Sequence, residues 1–549
     1  MSRLFDSRIA GLPRRDLLSG GLAAFATTLL PGCGRAATPA PIVETAAGRV
    51  VGTTGDGFVA FKGIPYGAPT GGAARFMPPQ PAPSWAGVRD ALAFGPRCPQ
   101  SYWPEPGDAS SANEDCLVLN IWTPAPDSGR RPVMVWLHGG GWEGGSSSSA
   151  VTDGGRIARH QDVVLVSVNH RLNVFGYLNL KPFGGERYAA SGAAGILDIE
   201  LALRWVAQNI AAFGGDPRRV MIFGQSGGGR KVSTLMAMPS AKGLFHRAAI
   251  ESGAALRLDE EAVSVERTER LLTQLGIGRA GVDALHTIPT AQLLAAGVAV
   301  RNATGQFRPY IDGAIIPDHP FSPKAPAISA DVPILVGNAR TDTSLFLARD
   351  PGMANLSGDG LRALVAPMLP PSSAADVIAT YRARAPQAGN DELAYLITTD
   401  RSYMLDASLL AERKAALHSA PAYLYRIDWT APREGGRWFS PHGIELPFVF
   451  DNLQLDTMAG PPTRAATGLA SALSATWARF ARTGNPNGAQ SALPRWAPYD
   501  IRDRSVMLFD AACTVQHDPR GWAREMMAGF GSEQLGRYEP RPPGPWIRD

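Results

Sequence analysis

The chain has 549 residues, which is enough for one large α/β domain with insertions or for several average domains. Apolar residues make up 45% and charged residues 19%, as in globular proteins with a large core, so a low-complexity or disordered chain is excluded. The formal net charge is +4, without a basic stripe or an acidic tail, which argues against a nucleic-acid partner.

The N-terminus, residues 1–40, predicts an export signal. Arg14 and Arg15 precede the apolar run Leu17–Leu30, which is too short to span a bilayer, and this combination is typical of a twin-arginine signal. The run ends in LPGC, where a small residue before Cys33 resembles a lipoprotein cleavage box. Lipidation of Cys33 and ordinary cleavage nearby both stay open. We therefore expect an exported protein that is periplasmic, extracellular or anchored as a lipoprotein, with no transmembrane span.

The chain has four cysteines, of which Cys33 lies in the leader. Cys98 and Cys116 enclose 17 residues in a chain that we expect to reach an oxidising compartment, and a disulfide there would contribute about 3 kcal/mol in the chain-entropy model. Cys513 has no evident partner. The spacing contains no CxxC pair, so we predict no zinc site.

Short apolar runs predict buried parallel strands at Val133–Leu137, Val163–Val168, Val220–Phe223, Ala248–Ile250 and Pro333–Val336. The segment Ile196–Phe213 repeats apolar residues on one helical face and ends at Gly-Gly-Asp-Pro. Strands that alternate with helices predict an α/β fold with a mostly parallel central sheet covered on both faces. In such sheets, functional groups gather at the carboxyl ends of the strands.

The first of these strands is followed by HGGGW, His138–Trp142. A glycine run at this point lets backbone N–H groups approach a reacting carbonyl oxygen without a side-chain clash, so it predicts an oxyanion hole. The alternative is a turn without a catalytic role. We expect His138 itself to brace the loop.

The segment GQSGGGRKVST, Gly224–Thr234, joins a predicted strand to a helix predicted at Arg230–Met238. A phosphate-binding Walker loop also joins a strand to a helix, but it needs a lysine directly after its second glycine and a hydroxyl residue next. Here Arg230 takes the first place and Lys231 the second, so the phosphate loop is excluded. The pattern G-x-S-x-G instead predicts a nucleophile elbow with Ser226 at its apex.

Further motifs of the same kind are spread over the chain. They are GIPYGAP (Gly63–Pro69), RF (Arg75-Phe76), GPRCPQ (Gly95–Gln100), EDCLVLNIWTP (Glu114–Pro124), FGGDPRRVMIFGQSGGG (Phe213–Gly229), SPHGIELPFVF (Ser440–Phe450) and FARTGNPN (Phe480–Asn487). Together with HGGGW they resemble the type-B carboxylesterase family, the group of carboxylesterases and cholinesterases, over roughly residues 44–510. The resemblance implies an α/β-hydrolase fold, with one catalytic domain at residues 41–549.

The resemblance also implies a catalytic triad in the order serine, acid, histidine. Ser226 matches the nucleophile and His442 the base, and an imidazole titrates near neutral pH, as proton transfer requires. Asp342, in GNARTDTSLFL, matches the acid, where glutamate is common in the family. Because aspartate has a shorter reach, we expect either that His442 lies slightly closer to it or that the loop at its strand end differs. Asp312, in YIDGAIIP, is the competing carboxylate, although the family has a structural turn at this position.

Gly140, Gly141 and Gly227 match the family's oxyanion-hole donors. The family usually has alanine where this chain has Gly227, so we expect the donor N–H to be kept on a looser backbone. Two buried ion pairs are implied as structural braces, Arg75 with Glu114 and Arg171 with Asp198. Trp103 is expected to form a wall at the mouth of the active-site gorge.

The sequence thus predicts a serine carboxylic ester hydrolase that acts through an acyl-enzyme on small to medium esters, without a cofactor or a metal. Amides, lactones or an acceptor alcohol as substrates stay open, as do a non-catalytic binding relative and a nucleotide-binding protein. We expect long loops, roughly residues 259–306 and 352–400, to build the substrate pockets. The oligomeric state is not readable from the sequence.

Overall fold

The computed structural model describes residues 40–101, 108, 110–455, 458–489 and 491–532. These residues belong to one compact unit, Ala40–Asp549. The predicted export signal with Cys33, and also Trp103, lie outside the described residues. Within the described part, no helix combines the length and the hydropathy that a membrane crossing requires.

A large mixed sheet forms the centre of the molecule. The strands in chain order are β1 (Ile42–Thr45), β2 (Gly48–Val51), β3 (Thr53–Thr54), β4 (Val59–Pro65), β5 (Val88–Asp90), β6 (Val118–Thr123), β7 (Arg131–Leu137), β8 (Val164–Val168), β9 (Gly215–Gln225), β10 (Arg247–Glu251), β11 (Ile334–Ala339), β12 (Ala422–Ile427), β13 (Ser505–Phe509) and β14 (Thr514–His517). The main sheet has the order β14-β13-β12-β11-β10-β9-β7-β8-β6-β4-β3, and β1, β2 and β5 form a small separate sheet. The strands from β8 to β13 in this order pair in parallel, and the outer pairs are antiparallel.

Burial on both faces explains why the central strands are continuous apolar runs. In β7, Val133 and Val135 belong to the core on one face of the sheet, and Met134 and Trp136 belong to the core on the other face. Because side chains alternate along a strand, only a run that is apolar at every position fills both cores. The five predicted strands all lie at β7 to β11, within one or two residues of their predicted starts except for β9, which begins at Gly215.

Helices pack on the two faces of the sheet. In chain order they are α1 (Gly155–Gln161), α2 (Asn173–Tyr177), α3 (Lys181–Gly184), α4 (Ala194–Asn209), α5 (Gly227–Ala237), α6 (Glu261–Leu275), α7 (Thr290–Thr304), α8 (Ser344–Leu347), α9 (Gly358–Val365), α10 (Ala374–Arg384), α11 (Asn390–Thr399), α12 (Leu405–Ala415), α13 (Leu446–Val449), α14 (Arg464–Thr483) and α15 (Gly521–Gly529). The predicted amphipathic helix is confirmed as α4 and a following 3₁₀ turn, Ile210–Phe213.

Two expectations about local structure were wrong. The helix predicted to start at Arg230 begins at Gly227, directly after the turn, because the glycines of the motif form its first turn. The segments 259–306 and 352–400, expected as loops, are largely helical, with α6 and α7 in the first and α9 to α11 in the second.

Both predicted ion pairs are confirmed as buried contacts. Arg75 donates to the Glu114 carboxylate from Nε at 2.8 Å and from Nη2 at 2.5 Å. Arg171 donates to Asp198 from Nε at 2.9 Å and from Nη2 at 2.6 Å. Two parallel bonds match the guanidinium fork to a carboxylate, so each pair is held in one geometry.

Candidate active site

Ser226 lies at the sharp turn between β9 and α5. Its backbone has φ 58° and ψ −121°, a strained conformation for a residue with a side chain. Its N–H donates to the Glu251 carbonyl at the end of β10 at 2.8 Å, and its carbonyl accepts from Arg230 at 3.1 Å. The strand end and the helix start thus hold the turn from both sides, and Ser226 is half-buried at the carboxyl edge of the sheet.

Close backbone packing explains the glycines of the elbow. A Cβ at residue 224 would lie 2.6 Å from the carbonyl oxygen of Leu137 in the neighbouring strand β7. A Cβ at residue 228 would collide with the same oxygen. Helix α5 can therefore approach β7 closely enough to make the turn only if both positions lack a side chain.

His442 and Asp342 form a buried pair at the same edge of the sheet. His442 Nδ1 lies 2.6 Å from Asp342 Oδ1, and the backbone N–H of His442 donates to the backbone carbonyl of Asp342 at 3.1 Å. The flanking residues are linked as well, since Ser440 N–H donates to Thr341 Oγ1 at 2.8 Å. These links join the histidine segment to the acid segment, and the Asp342 side chain reaches the imidazole. His442 Nε2 is buried and makes no hydrogen bond within the described residues.

Asp342 has two further hydrogen bonds. Its Oδ2 accepts from the Ala339 N–H at 2.9 Å and from the Ser252 hydroxyl at 3.1 Å. The carboxylate is fully buried, so these donors replace the water that would otherwise solvate its charge. Ser252 follows β10 and was missed from the sequence, where an isolated serine after a strand carries no signal.

Asp312, the competing carboxylate, has a different environment. Its Oδ1 accepts from the N–H groups of Ala314 and Ile316, both at 2.9 Å, and so closes a turn. The structure brings Asp342, and not Asp312, into hydrogen-bond contact with His442.

The residues His138–Trp142, here called the oxyanion loop, lie against the elbow. Gly140 and Gly141 have φ values of 85° and 63°, which favour glycine. A Cβ at residue 227 would lie 2.5 Å from the nitrogen and 2.6 Å from the Cα of Gly141. The three predicted donor residues are therefore neighbours in space. The oxyanion loop fills the space that a Cβ at residue 227 would take, and the expectation of a looser backbone there stays a prediction.

Two aromatic rings flank His442. The ring of Phe346 lies 5.2 Å and the ring of Tyr403 lies 5.1 Å from the imidazole, measured between centroids. Tyr403 lies in a π-helical turn, Asp400–Met404, which continues α11 into α12. Neither ring was identified from the sequence. Phe346 lies in the acid motif, which was examined only for its carboxylate, and Tyr403 lies just beyond the segment 352–400, whose structure was not predicted.

Buried carboxyl groups lie behind the pair. Glu251 has one oxygen bonded to Trp477 Nε1 at 2.6 Å, and its other oxygen makes no hydrogen bond within the described residues. Burial raises the pKa of Glu251 to about 8, against which the Trp477 bond acts. Burial, together with the charges of Glu251 and Asp342, raises the pKa of Glu445 well above its usual range. Both shifts favour the neutral form of the carboxyl group.

The predicted disulfide is not formed in this structure. Cys98, Cys116 and Cys513 are free cysteines, and the first two are buried. The Cys98 side chain hydrogen-bonds to Cys116, and this bond together with burial raises the pKa of the Cys116 thiol. The two sulfurs are therefore neighbours, and the disulfide stays a prediction.

In fold and site, the chain is an α/β-hydrolase: a mostly parallel sheet with helices on both faces carries a serine elbow, a glycine loop and a His–Asp pair at one edge. Across the described residues, no group of three or more His, Cys, Asp or Glu side chains is arranged to hold a metal ion. The model of the carboxylesterase family matches residues 39–523. The chain belongs to this family and is a serine enzyme that hydrolyses carboxylic esters.

This chain aligns with relatives of known activity over almost the whole length of those relatives. The para-nitrobenzyl esterase of Bacillus subtilis (strain 168) is 35% identical over 502 residues, which are 88% of this chain and 98% of that protein. The phenmedipham hydrolase of Pseudarthrobacter oxydans is 33% identical, over 87% of this chain and 97% of that protein. A crystal structure of a Geobacillus stearothermophilus carboxylesterase has a TM-score of 0.79 at 36% identity and covers 88% of this chain and 99% of that chain.

Proposed function

We propose that Ser226, His442 and Asp342 form the catalytic triad of this esterase. One arrangement supports these roles most directly. The strained Ser226 ends β9, and the His442–Asp342 bond of 2.6 Å lies at the carboxyl end of β11, two strands away in the same parallel sheet. The free Nε2 of His442 is the ring atom left to receive a proton.

The reaction runs in two acyl-transfer steps. As Ser226 Oγ bonds to the ester carbonyl carbon, its proton passes to His442 Nε2, and the carbonyl oxygen becomes an oxyanion. The N–H groups of Gly140, Gly141 and Gly227 stabilise that oxyanion. When the bond to the alcohol breaks, His442 gives the proton to the leaving oxygen. Water then attacks the acyl-enzyme through the same sequence, and Asp342 stabilises the imidazolium in both steps.

We propose small to medium aryl and alkyl esters as substrates. The name of one relative supports this class, since that protein is a para-nitrobenzyl esterase. The aromatic rings of Phe346 and Tyr403 beside His442 also suit an aryl or short acyl group. Trp103, which lies outside the described residues, keeps its predicted role as a wall of the gorge mouth.

The first test compares hydrolysis of p-nitrophenyl esters, acetyl to dodecanoyl, by the wild type and by Ser226→Ala. We expect the variant to stay folded, as judged by circular dichroism, and to lose roughly 10⁴-fold or more in kcat. A matching p-nitroanilide series distinguishes ester from amide hydrolysis. Turnover retained in Ser226→Ala would exclude the proposed nucleophile.

We further propose that the chain is exported and that Cys98 and Cys116 become a disulfide after export. The contact between the two buried thiols supports the pairing, and the Arg14-Arg15 leader supports the compartment. Mass spectrometry of the protein purified from its native host, digested without reductant, should give a linked Cys98–Cys116 peptide and show whether Cys33 carries lipid. Two alkylated thiols in the exported protein would contradict the pairing.

A further inference from the structure

A buried lysine on helix α5 contacts the oxyanion loop. Lys231 has no exposed surface, and its Nζ donates to the carbonyl of His138, the first residue of the loop, at 3.0 Å. The same nitrogen lies 6.0 Å from the centre of the Trp142 ring, at the other end of the loop. The lysine that excluded a phosphate loop thus lies on α5, five residues after Ser226, and contacts both ends of the oxyanion loop.

Within the described residues, no carboxylate compensates the charge of Lys231 by a contact within 4.0 Å. The groups that face it are the imidazoles of His138 and His170, which stack with centroids 4.6 Å apart. Burial first, and then the charge of Lys231, hold the pKa of both histidines well below the usual range, so they are neutral. Burial lowers the pKa of Lys231 itself to about 7. A buried amino group without a counter-ion costs folding free energy, whether it stays charged or gives up its proton, so packing alone does not account for this residue.

Gly227 contacts the same loop from the side of the elbow. The Gly141 backbone occupies the space of the missing Cβ, so the loop lies closer to the elbow than an alanine at residue 227 would allow. The hydrogen bond from Lys231 acts on the loop at His138, three residues before this contact. One residue therefore holds the loop near the elbow, and the other makes room for it.

We propose that Lys231 is a positioning residue, which holds the oxyanion loop against the nucleophile elbow, and that Gly227 is its structural complement. The proposal rests on the role of the loop stated under the proposed function. The Lys231–His138 bond sets where the N–H groups of Gly140 and Gly141 lie relative to Ser226. Because oxyanion donors act only when they are aligned with the developing charge, a small displacement of the loop reduces the rate more than substrate binding.

Lys231→Met tests this role, with Lys414→Met as the matched control. Lys414 is also buried, at 1% exposure, and its Nζ also donates to main-chain carbonyls, those of Ser329 and Ala330 at 2.9 and 2.7 Å. Those residues precede β11, at the opposite edge of the sheet from the elbow. With p-nitrophenyl acetate we expect Lys231→Met to lower kcat about tenfold or more, with KM changed less than about twofold and unfolding free energy not reduced. Lys414→Met should leave kcat within about twofold.

Gly227→Ala, introduced into the wild type and into Lys231→Met, tests whether the two residues act on the oxyanion loop together. In the wild type the added Cβ displaces the loop, and we expect a loss of about 100-fold in kcat. In Lys231→Met the loop is free to move, so the same change should cost about tenfold or less, which is a non-additive effect.

Equal losses in the two lysine variants, a loss of kcat that only follows a loss of folded protein, or strictly additive effects with Gly227→Ala would each overturn the proposal. The controls separate it from the proposed function. If Ser226→Ala keeps its turnover, the proposed nucleophile fails. If Ser226 is essential and Lys231→Met keeps the wild-type kcat, only the role of Lys231 fails.

Discussion

At the scale of single residues, the charge of Asp342 is supported by hydrogen bonds. Three groups donate to its carboxylate: the His442 ring, the Ala339 N–H and the Ser252 hydroxyl. Within the described residues, no arginine or lysine makes an ion pair with it. Since hydrogen bonds to a buried charge are worth about 1.5–3 kcal/mol each, every donor matters to the orientation of the imidazole and to the imidazolium that forms during the reaction.

We expect Ser252→Ala to lower kcat about tenfold with little change in KM, because Asp342 loses one donor and holds His442 less firmly. Steady-state kinetics on p-nitrophenyl acetate measures this change. Ser505→Ala is the matched control, since Ser505 is equally buried at the start of β13 and its hydroxyl makes no hydrogen bond within the described residues. An unchanged kcat in Ser252→Ala would mean that the serine only fills space.

Sequence motifs identified the site residues that lie within them. Residues that reach the site only through the tertiary structure were missed. Asp342 and His442 lie in recognisable segments, and the structure pairs them. Ser252 follows β10 and donates a hydrogen bond to Asp342, which follows β11 and is distant in the chain. The close approach of Gly141 to Gly227 was not predictable either, because a glycine in a motif does not say what occupies the space of its missing Cβ.

At the scale of elements, the central strands were predictable because burial on both faces leaves an uninterrupted apolar run. Helix α6 was not predicted, because its buried face carries Ser264, Arg267 and Thr268 beside Leu271 and Leu272. Arg267 pairs with Asp259 inside the protein and bonds to the Thr304 carbonyl at the end of α7. A helix whose buried face is partly polar does not show the apolar period of 3.6 that reveals a helix such as α4.

At the scale of the whole molecule, several ionisable groups that have no ionic partner among the described residues are buried near the carboxyl edge of the sheet. Glu251 and Glu445 lie behind the His–Asp pair, and Lys231 lies below the oxyanion loop. Such groups reduce stability unless they are neutral, which is why burial shifts the pKa of the acids upward and of the lysine downward. The same edge carries the strained Ser226, so several energetically costly features lie where the chemistry takes place.

This placement gives the unfolding free energy a defined pH dependence. The ordinary pKa of a glutamate is about 4.3, and burial raises that of Glu251 to about 8. Between these values the folded chain holds a proton on Glu251 that the unfolded chain has released, so the stability contributed by this group falls as pH rises through the window and changes no further above about 8. Glu251→Gln cannot ionise and still offers Trp477 an acceptor. We therefore expect the excess stability of the variant over the wild type to be small near pH 5 and to grow up to about pH 8.

Urea unfolding of the wild type and of Glu251→Gln at pH 5, 7 and 9 measures the difference in unfolding free energy. Lys231 has the opposite pH dependence, since it loses its charge in the folded protein above about pH 7. Because both proteins contain Lys231, its contribution cancels in the difference. Glu44→Gln is the control, because Glu44 is exposed on β1 and its charge is solvated in both states. Its stability difference from the wild type should not depend on pH. If Glu251→Gln behaved like Glu44→Gln, Glu251 would be ionised in the folded protein, and a compensating cation or water would have to solvate its free oxygen.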